Sequence, residues 1–75
     1  MKITDIRATR NRAPFRPFQI HLANGDVLPV SHPEIMSLPE DERDMFVIWT
    51  DKSWNLVDAS QVVRLSTTGN NKTGT

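Results

Sequence analysis

Phe18-Gln19-Ile20-His21-Leu22-Ala23-Asn24-Gly25-Asp26-Val27-Leu28-Pro29-Val30 is the stretch that decides the fold. Its first half alternates strictly, so Phe18, Ile20 and Leu22 share one face of a strand and Gln19 and His21 share the other. Asn24-Gly25 then reverses the chain. Both central positions of a type I′ turn need positive φ, which this pair tolerates best, and Asp26 to Val30 supplies the returning strand. Pro29 donates no ladder hydrogen bond and belongs at a sheet edge or a strand end.

Upstream, Ile3-Thr4-Asp5-Ile6 reads as a helix start, with Thr4 as cap and Asp5 at the positive end of the dipole. The helix covers about residues 4 to 12 and ends before Pro14. Only Ile3 and Ile6 are large and apolar in it, enough for a loose contact with the end of a sheet or barrel.

Downstream, Ser31-His32-Pro33-Glu34 and Ser37-Leu38-Pro39-Glu40 both match the Ser-x-x-Glu capping box. They predict two short helical turns capped by Ser31 and Ser37, with Ile35 and Leu38 over a barrel mouth and Glu40 to Asp44 in solvent. Met45 to Thr50 is apolar, β-branched and aromatic, and predicts a central strand buried on much of both faces. Asp51-Lys52-Ser53 makes a tight turn, and Trp54 to Val57 returns, placing Trp49 and Trp54 near each other across a hairpin. Asp58 caps one helical turn through Gln61, which leads into a last strand from Val62 to Leu65. From Thr67 to Thr75 there is no large apolar residue, so residues 1–66 form the single domain and 67–75 a disordered tail.

The fold expected is mainly β with an N-terminal helix. Five short antiparallel strands form either a small barrel of the Src-homology or Sm type, or an open, strongly curled sheet that closes by dimerisation.

Seventy-five residues leave room for one core, and 37% hydrophobic with 24% charged residues is ordinary globular usage. In chains this short, apolar burial barely exceeds an ordering cost of roughly 1.5 kcal/mol per residue. There is no cysteine to add a disulfide, a thiolate metal ligand or a cysteine nucleophile, which leaves self-association as the ordinary source of extra stability. No apolar run approaches the ~18 residues of a membrane helix, and the cytoplasm is the default compartment. The first residues are basic, as in a transit peptide, but Pro14 and Pro17 lead at once into the fold.

Net charge is zero, yet the charges are segregated. Residues 1 to 16 carry Lys2, Arg7, Arg10, Arg12 and Arg16 against Asp5, whereas residues 34 to 44 carry Glu34, Glu40, Asp41, Glu42 and Asp44 against Arg43. Arg7, Arg10, Arg12 and Arg16 are therefore candidate contacts for phosphates, or for the acidic stretch of the same chain or a neighbouring subunit. Arg7 and Arg10, three apart, share a helix face. Few aromatic residues stand outside apolar strands, so no stacking platform for single-stranded nucleic acid is visible.

Trp49 and Trp54 are candidates for core or subunit interface first, and for an aromatic ligand cradle second. His21 and His32 are the only imidazoles, and two of them with Asp26 or Glu34 make a weak metal set, so structural or capping roles are expected and no metal or cofactor. Ser31 beside His32 offers two members of a nucleophilic triad, but sequence neighbours rarely make that geometry. There is no Gly-x-Ser-x-Gly elbow and no phosphate-binding glycine loop, and no catalytic residue is expected. Pro14-Phe15-Arg16-Pro17 matches the Pro-x-x-Pro form of a proline-recognition ligand, and reads better as a lead into the first strand with Phe15 and Phe18 turned inward.

Taken together, Pro14-Phe15-Arg16-Pro17-Phe18-x-Ile20-x-Leu22-x-Asn24-Gly25, Val30-x-His32-Pro33-Glu34 and the apolar strands ending near Val63 resemble a family of short bacterial proteins. The likeness covers about residues 5 to 66 and implies a bacterial origin. That family has no established activity, so no functional residue follows from it. A looser similarity to Sm-like barrels lies in element order alone, since Ser31 to Asp44 and Asp58-Ala59-Ser60-Gln61 stand where the Sm-like loop motifs would be. The function expected is a non-enzymatic binding module acting as a homo-oligomer through a protein partner or itself. The alternatives are a nucleic-acid binder using the N-terminal arginines and a small metal-dependent enzyme around His32.

Overall fold

The computed structural model describes residues 1–39, 43–51 and 53–67. In chain order these form helix α1 (Ile3–Arg10), strands β1 (Phe18–Leu22) and β2 (Val27–Val30), a 3₁₀ turn (Pro33–Ile35), β3 (Met36–Ser37), β4 (Met45–Trp49), β5 (Trp54–Asp58), a second 3₁₀ turn (Ala59–Gln61) and β6 (Val62–Thr67). They build two antiparallel three-stranded sheets, ordered β2-β1-β6 and β3-β4-β5. β1 is central in the first because its hairpin partner lies on one side and β6 on the other, with Phe18 opposite Val30 and Thr67.

One apolar cluster joins both sheets and the helix. Phe18, Ile20, Val30 and Val62 come from the first sheet, Met36, Phe46, Ile48 and Val57 from the second, and Ile3 and Ile6 from α1. The alternation expected in β1 holds for Phe18 and Ile20, which are buried, while Leu22 is only half-buried where the pairing with β6 shifts register. Phe15 packs against the cluster, its ring tilted on Phe18 at 6.1 Å between centroids. Pro29 lies in β2, an edge strand, as its missing N–H requires.

Several local expectations are corrected. The hairpin forms at Asn24-Gly25, but only Gly25 has positive φ (97°), so it is not a type I′ turn. Gly25 N–H donates to Leu22 O at 2.9 Å and Leu22 N–H to Asp26 O at 2.9 Å, the pattern of a three-residue turn closed by a glycine bulge. Asn24 instead spends its side-chain oxygen on the Asp26 N–H at 2.9 Å. Thr4 is not the cap of α1: the cap position falls on Lys2, with no side-chain bond, and the helix runs from Ile3 to Arg10.

Ser31 and Ser37 do not cap helices either. The first 3₁₀ turn starts after His32, and Ser37 is drawn into β3, where it pairs with Val47. A ladder position in a packed sheet outweighs a local capping signal. Glu40, Asp41 and Glu42 lie outside the described residues, and Arg43 and Asp44 are exposed. β3 brings the strands to six in two sheets, among which no closed barrel is found. β6 extends to Thr67, one residue into the expected tail; 68–75 lie outside the described residues. No described helix is long and apolar enough to cross a membrane.

Asp58 caps the second 3₁₀ turn as expected, its carboxylate accepting from Ser60 N–H at 2.9 Å. That backbone bond, with a second from the Ser60 side chain, holds the carboxyl below its ordinary pKa. A depressed folded-state pKa stabilises the fold above the unfolded-state value, and the contribution disappears as pH falls through the folded one. Asp58→Ala is therefore expected to melt below wild type at neutral pH, with the gap closing in acid. Asp58→Asn keeps the cap and shows less of this pH dependence. Thermal melts across pH check it; a gap of equal size at all pH values would mean that the charge plays no part.

Candidate functional site

β4 alternates, with Phe46 and Ile48 turned into the core and Met45, Val47 and Trp49 turned out. β5 does the same, with Val57 in and Trp54, Leu56 and Asp58 out. Register places Met45 opposite Asp58, Val47 opposite Leu56, and Trp49 opposite Trp54. The expectation that β4 is buried on both faces is corrected here. Among the described residues the second sheet has one face in the core and one uncovered, and the uncovered face is apolar over most of its length.

Its exposures are large for such residues: Met45 44%, Trp49 51%, Trp54 59% and Leu56 56%. Scattered single apolar residues on a surface are ordinary; a contiguous patch on one sheet face is not. The paired tryptophans are thus a surface feature rather than core. Their strand ends are fixed by Thr50, whose N–H donates to Ser53 O at 2.8 Å and whose hydroxyl donates to the same oxygen at 3.1 Å.

Two grooves abut this face. A cleft of about 860 Å³ lies between β2 and the end of β4, lined by Val27, Pro29, His32, Ile35, Trp49 and Asp51 among others. A smaller one of about 330 Å³ lies at the opposite end, where Leu38, Pro39 and Arg43 meet Met45, Val47 and Leu56.

The larger cleft brings Ser31 and His32 beside Thr50 and Asp51. Ser31, His32 and Asp51 are all exposed, and among the described residues none of the three hydrogen-bonds another, so no relay from acid to imidazole to hydroxyl is assembled. His21 sits on the other sheet, sharing a 2.8 Å hydrogen bond with Ser66 Oγ across β1 and β6. The two imidazoles are not brought together with Asp26 or Glu34, and no group of three His, Asp or Glu side chains able to hold a metal forms among the described residues.

The N-terminal arginines divide. Arg7 Nη2 donates to Pro39 O at 2.5 Å, and Arg10 Nη1 donates to Met36 O at 2.9 Å. Both therefore tie α1 to the β3 segment, from the one helix face that their spacing predicts. Arg12 and Arg16 are exposed. The apolar sheet face was missed by sequence reasoning because a continuous apolar run does not say which alternate positions point outward. Asp58 opposite Met45, at the end of β5, was the available signal of a solvent-facing side.

No protein-family model, curated protein or solved structure matches this chain.

Proposed function

We propose that this protein is a non-enzymatic interaction module that works as a homo-oligomer, associating through the outer face of β4 and β5. The single observation that carries this reading is the contiguous apolar patch of Met45, Val47, Leu56, Trp49 and Trp54 on a small domain. Two further facts support it. The chain has zero formal net charge, so no long-range repulsion keeps copies apart. Its core is thin, and covering this face adds apolar burial where a small chain needs it. In architecture we read β2 and β3 as one strand interrupted by the Pro33–Ile35 turn, which turns the two sheets into the halves of a five-stranded small barrel of the Src-homology or Sm type.

The nucleic-acid alternative keeps only Arg12 and Arg16 as surface cations of the original four, since Arg7 and Arg10 serve backbone carbonyls. The enzyme alternative has no constellation assembled among the described residues to rest on.

Mass measured by light scattering tests the reading. Wild type is expected as a dimer or larger at tens of micromolar, and Leu56→Asp as a monomer with an unchanged far-ultraviolet spectrum, because Leu56 contributes nothing to the core. A monomeric wild type would sink the proposal.

A further inference from the structure

The patch has a size and a polarity that select one way for two copies to meet. On ordinary side-chain areas its exposed apolar residues present roughly 500 Å². A standard interface takes about 800 Å² from each partner and is about 60% apolar, so this face and its polar rim supply what a stable dimer needs. Two sheet faces packed on each other can be related by a two-fold axis running along the strands or across them.

Charge decides between these. Asp44 and Asp58 are both exposed and stand at the Met45 end of the face. An axis along the strands would superpose the two Met45 ends, gathering the four carboxylates of Asp44 and Asp58 with the two Arg43 side chains at one rim and setting Met45 against Asp58. An axis across the strands sends the two acidic ends to opposite sides, separated by about 14 Å for the four residue steps from Met45 to Trp49. It also sets the Met45 thioether on an indole, a favourable pairing of sulfur with an aromatic ring, places Asp58 at the rim beside Trp54 of the other copy, and brings the Arg43 end of one copy toward the Asp51 end of the other.

We propose that two copies pack face to face about a two-fold axis crossing β4 and β5 at the Val47–Leu56 pair, so that Leu56 meets Leu56, Val47 meets Val47, and Met45 of each copy lies on Trp49 of the other. This rests on the self-association reading above and adds the geometry of the contact. The interface is isologous and closes at two copies. Each large cleft, which has Trp49 in its wall, then has its rim completed by the Met45 end of the other copy.

The absence of any cysteine makes the test clean. Leu56→Cys and, separately, Val47→Cys are treated with a short bismaleimide and analysed by mass. Each is expected to give covalent dimer as the main product, while Met45→Cys alone gives little and a mixture of Met45→Cys with Trp49→Cys gives the crossed dimer. As a check free of cysteine, Leu56→Lys and Leu56→Glu should each associate at least about tenfold more weakly than wild type and recover as a mixed dimer. A wild type that is dimeric by light scattering but cross-links only between Val47→Cys and Leu56→Cys would overturn this axis and leave self-association standing. A monomeric wild type overturns both.

Discussion

Phe46→Ala is expected to leave the chain largely unfolded at room temperature. Phe46 is 1% exposed, pairs with Val57 across β4 and β5, and belongs to the cluster that also holds Phe18 and Ile20 of the other sheet. Removing a buried phenyl ring costs about 3–5 kcal/mol. The whole domain has roughly 4–11 kcal/mol at the usual 0.05–0.15 kcal/mol per residue, and a chain this short belongs toward the lower end. Urea titration followed by tryptophan fluorescence measures the loss, with Val63→Ala, at an exposed position of β6, expected within about 0.5 kcal/mol of wild type. A transition midpoint for Phe46→Ala equal to that of wild type would show that the two sheets do not share one core.

Ile6→Asp is expected to abolish α1 and most of the stability with it. The helix has eight residues, of which Ile3 and Ile6 alone are buried. Helices shorter than about 12 residues are marginal in water, so this one exists because it is docked. Truncating a fully buried Ile costs about 2–5 kcal/mol, and a carboxylate in its place adds the penalty of an unpaired charge. Once the helix lifts, Arg7 and Arg10 lose the carbonyls of Pro39 and Met36. The readout is the 222 nm ellipticity together with the melting temperature. Thr4→Ala is the contrasting case, expected within about 0.5 kcal/mol because its side chain caps nothing. Retention of full helical signal in Ile6→Asp would mean that α1 stands without the sheet.

What could be read from the residues alone follows a physical line. Gln19 and His21 between Phe18, Ile20 and Leu22 specify a two-fold period, and the strand, its hairpin and the placement of Pro29 at an edge all came with it. Asp58 before Ala59-Ser60-Gln61 is a local capping signal, and nothing distant competes for it. Ser37 carries an equally good local signal and lost, because pairing with Val47 satisfies its backbone in a sheet that the surrounding residues cannot announce. Met45-Phe46-Val47-Ile48-Trp49 has no polar residue to mark its outer side, so periodicity could not separate Phe46 and Ile48 from their neighbours. The Trp49–Trp54 pairing was legible from the turn between them. That both rings are exposed depends on a sheet with no second layer on that side among the described residues, a property of the tertiary arrangement.

The place of β1 between β2 and β6 governs the order in which the molecule is made. β2 follows β1 directly, but Leu22 meets Val62 only after about forty further residues, and Phe18 waits longer still for Thr67. A chain emerging from the ribosome can form the first hairpin early, yet the central strand stays open along one side until nearly all of the described chain has been synthesised. A product that stops short of β6 holds the β3-β4-β5 strands but leaves β1 paired with β2 alone, its other side open. Loss of β6 also takes Val62 out of the cluster that both sheets share, so its cost is felt beyond the strand it leaves unpaired.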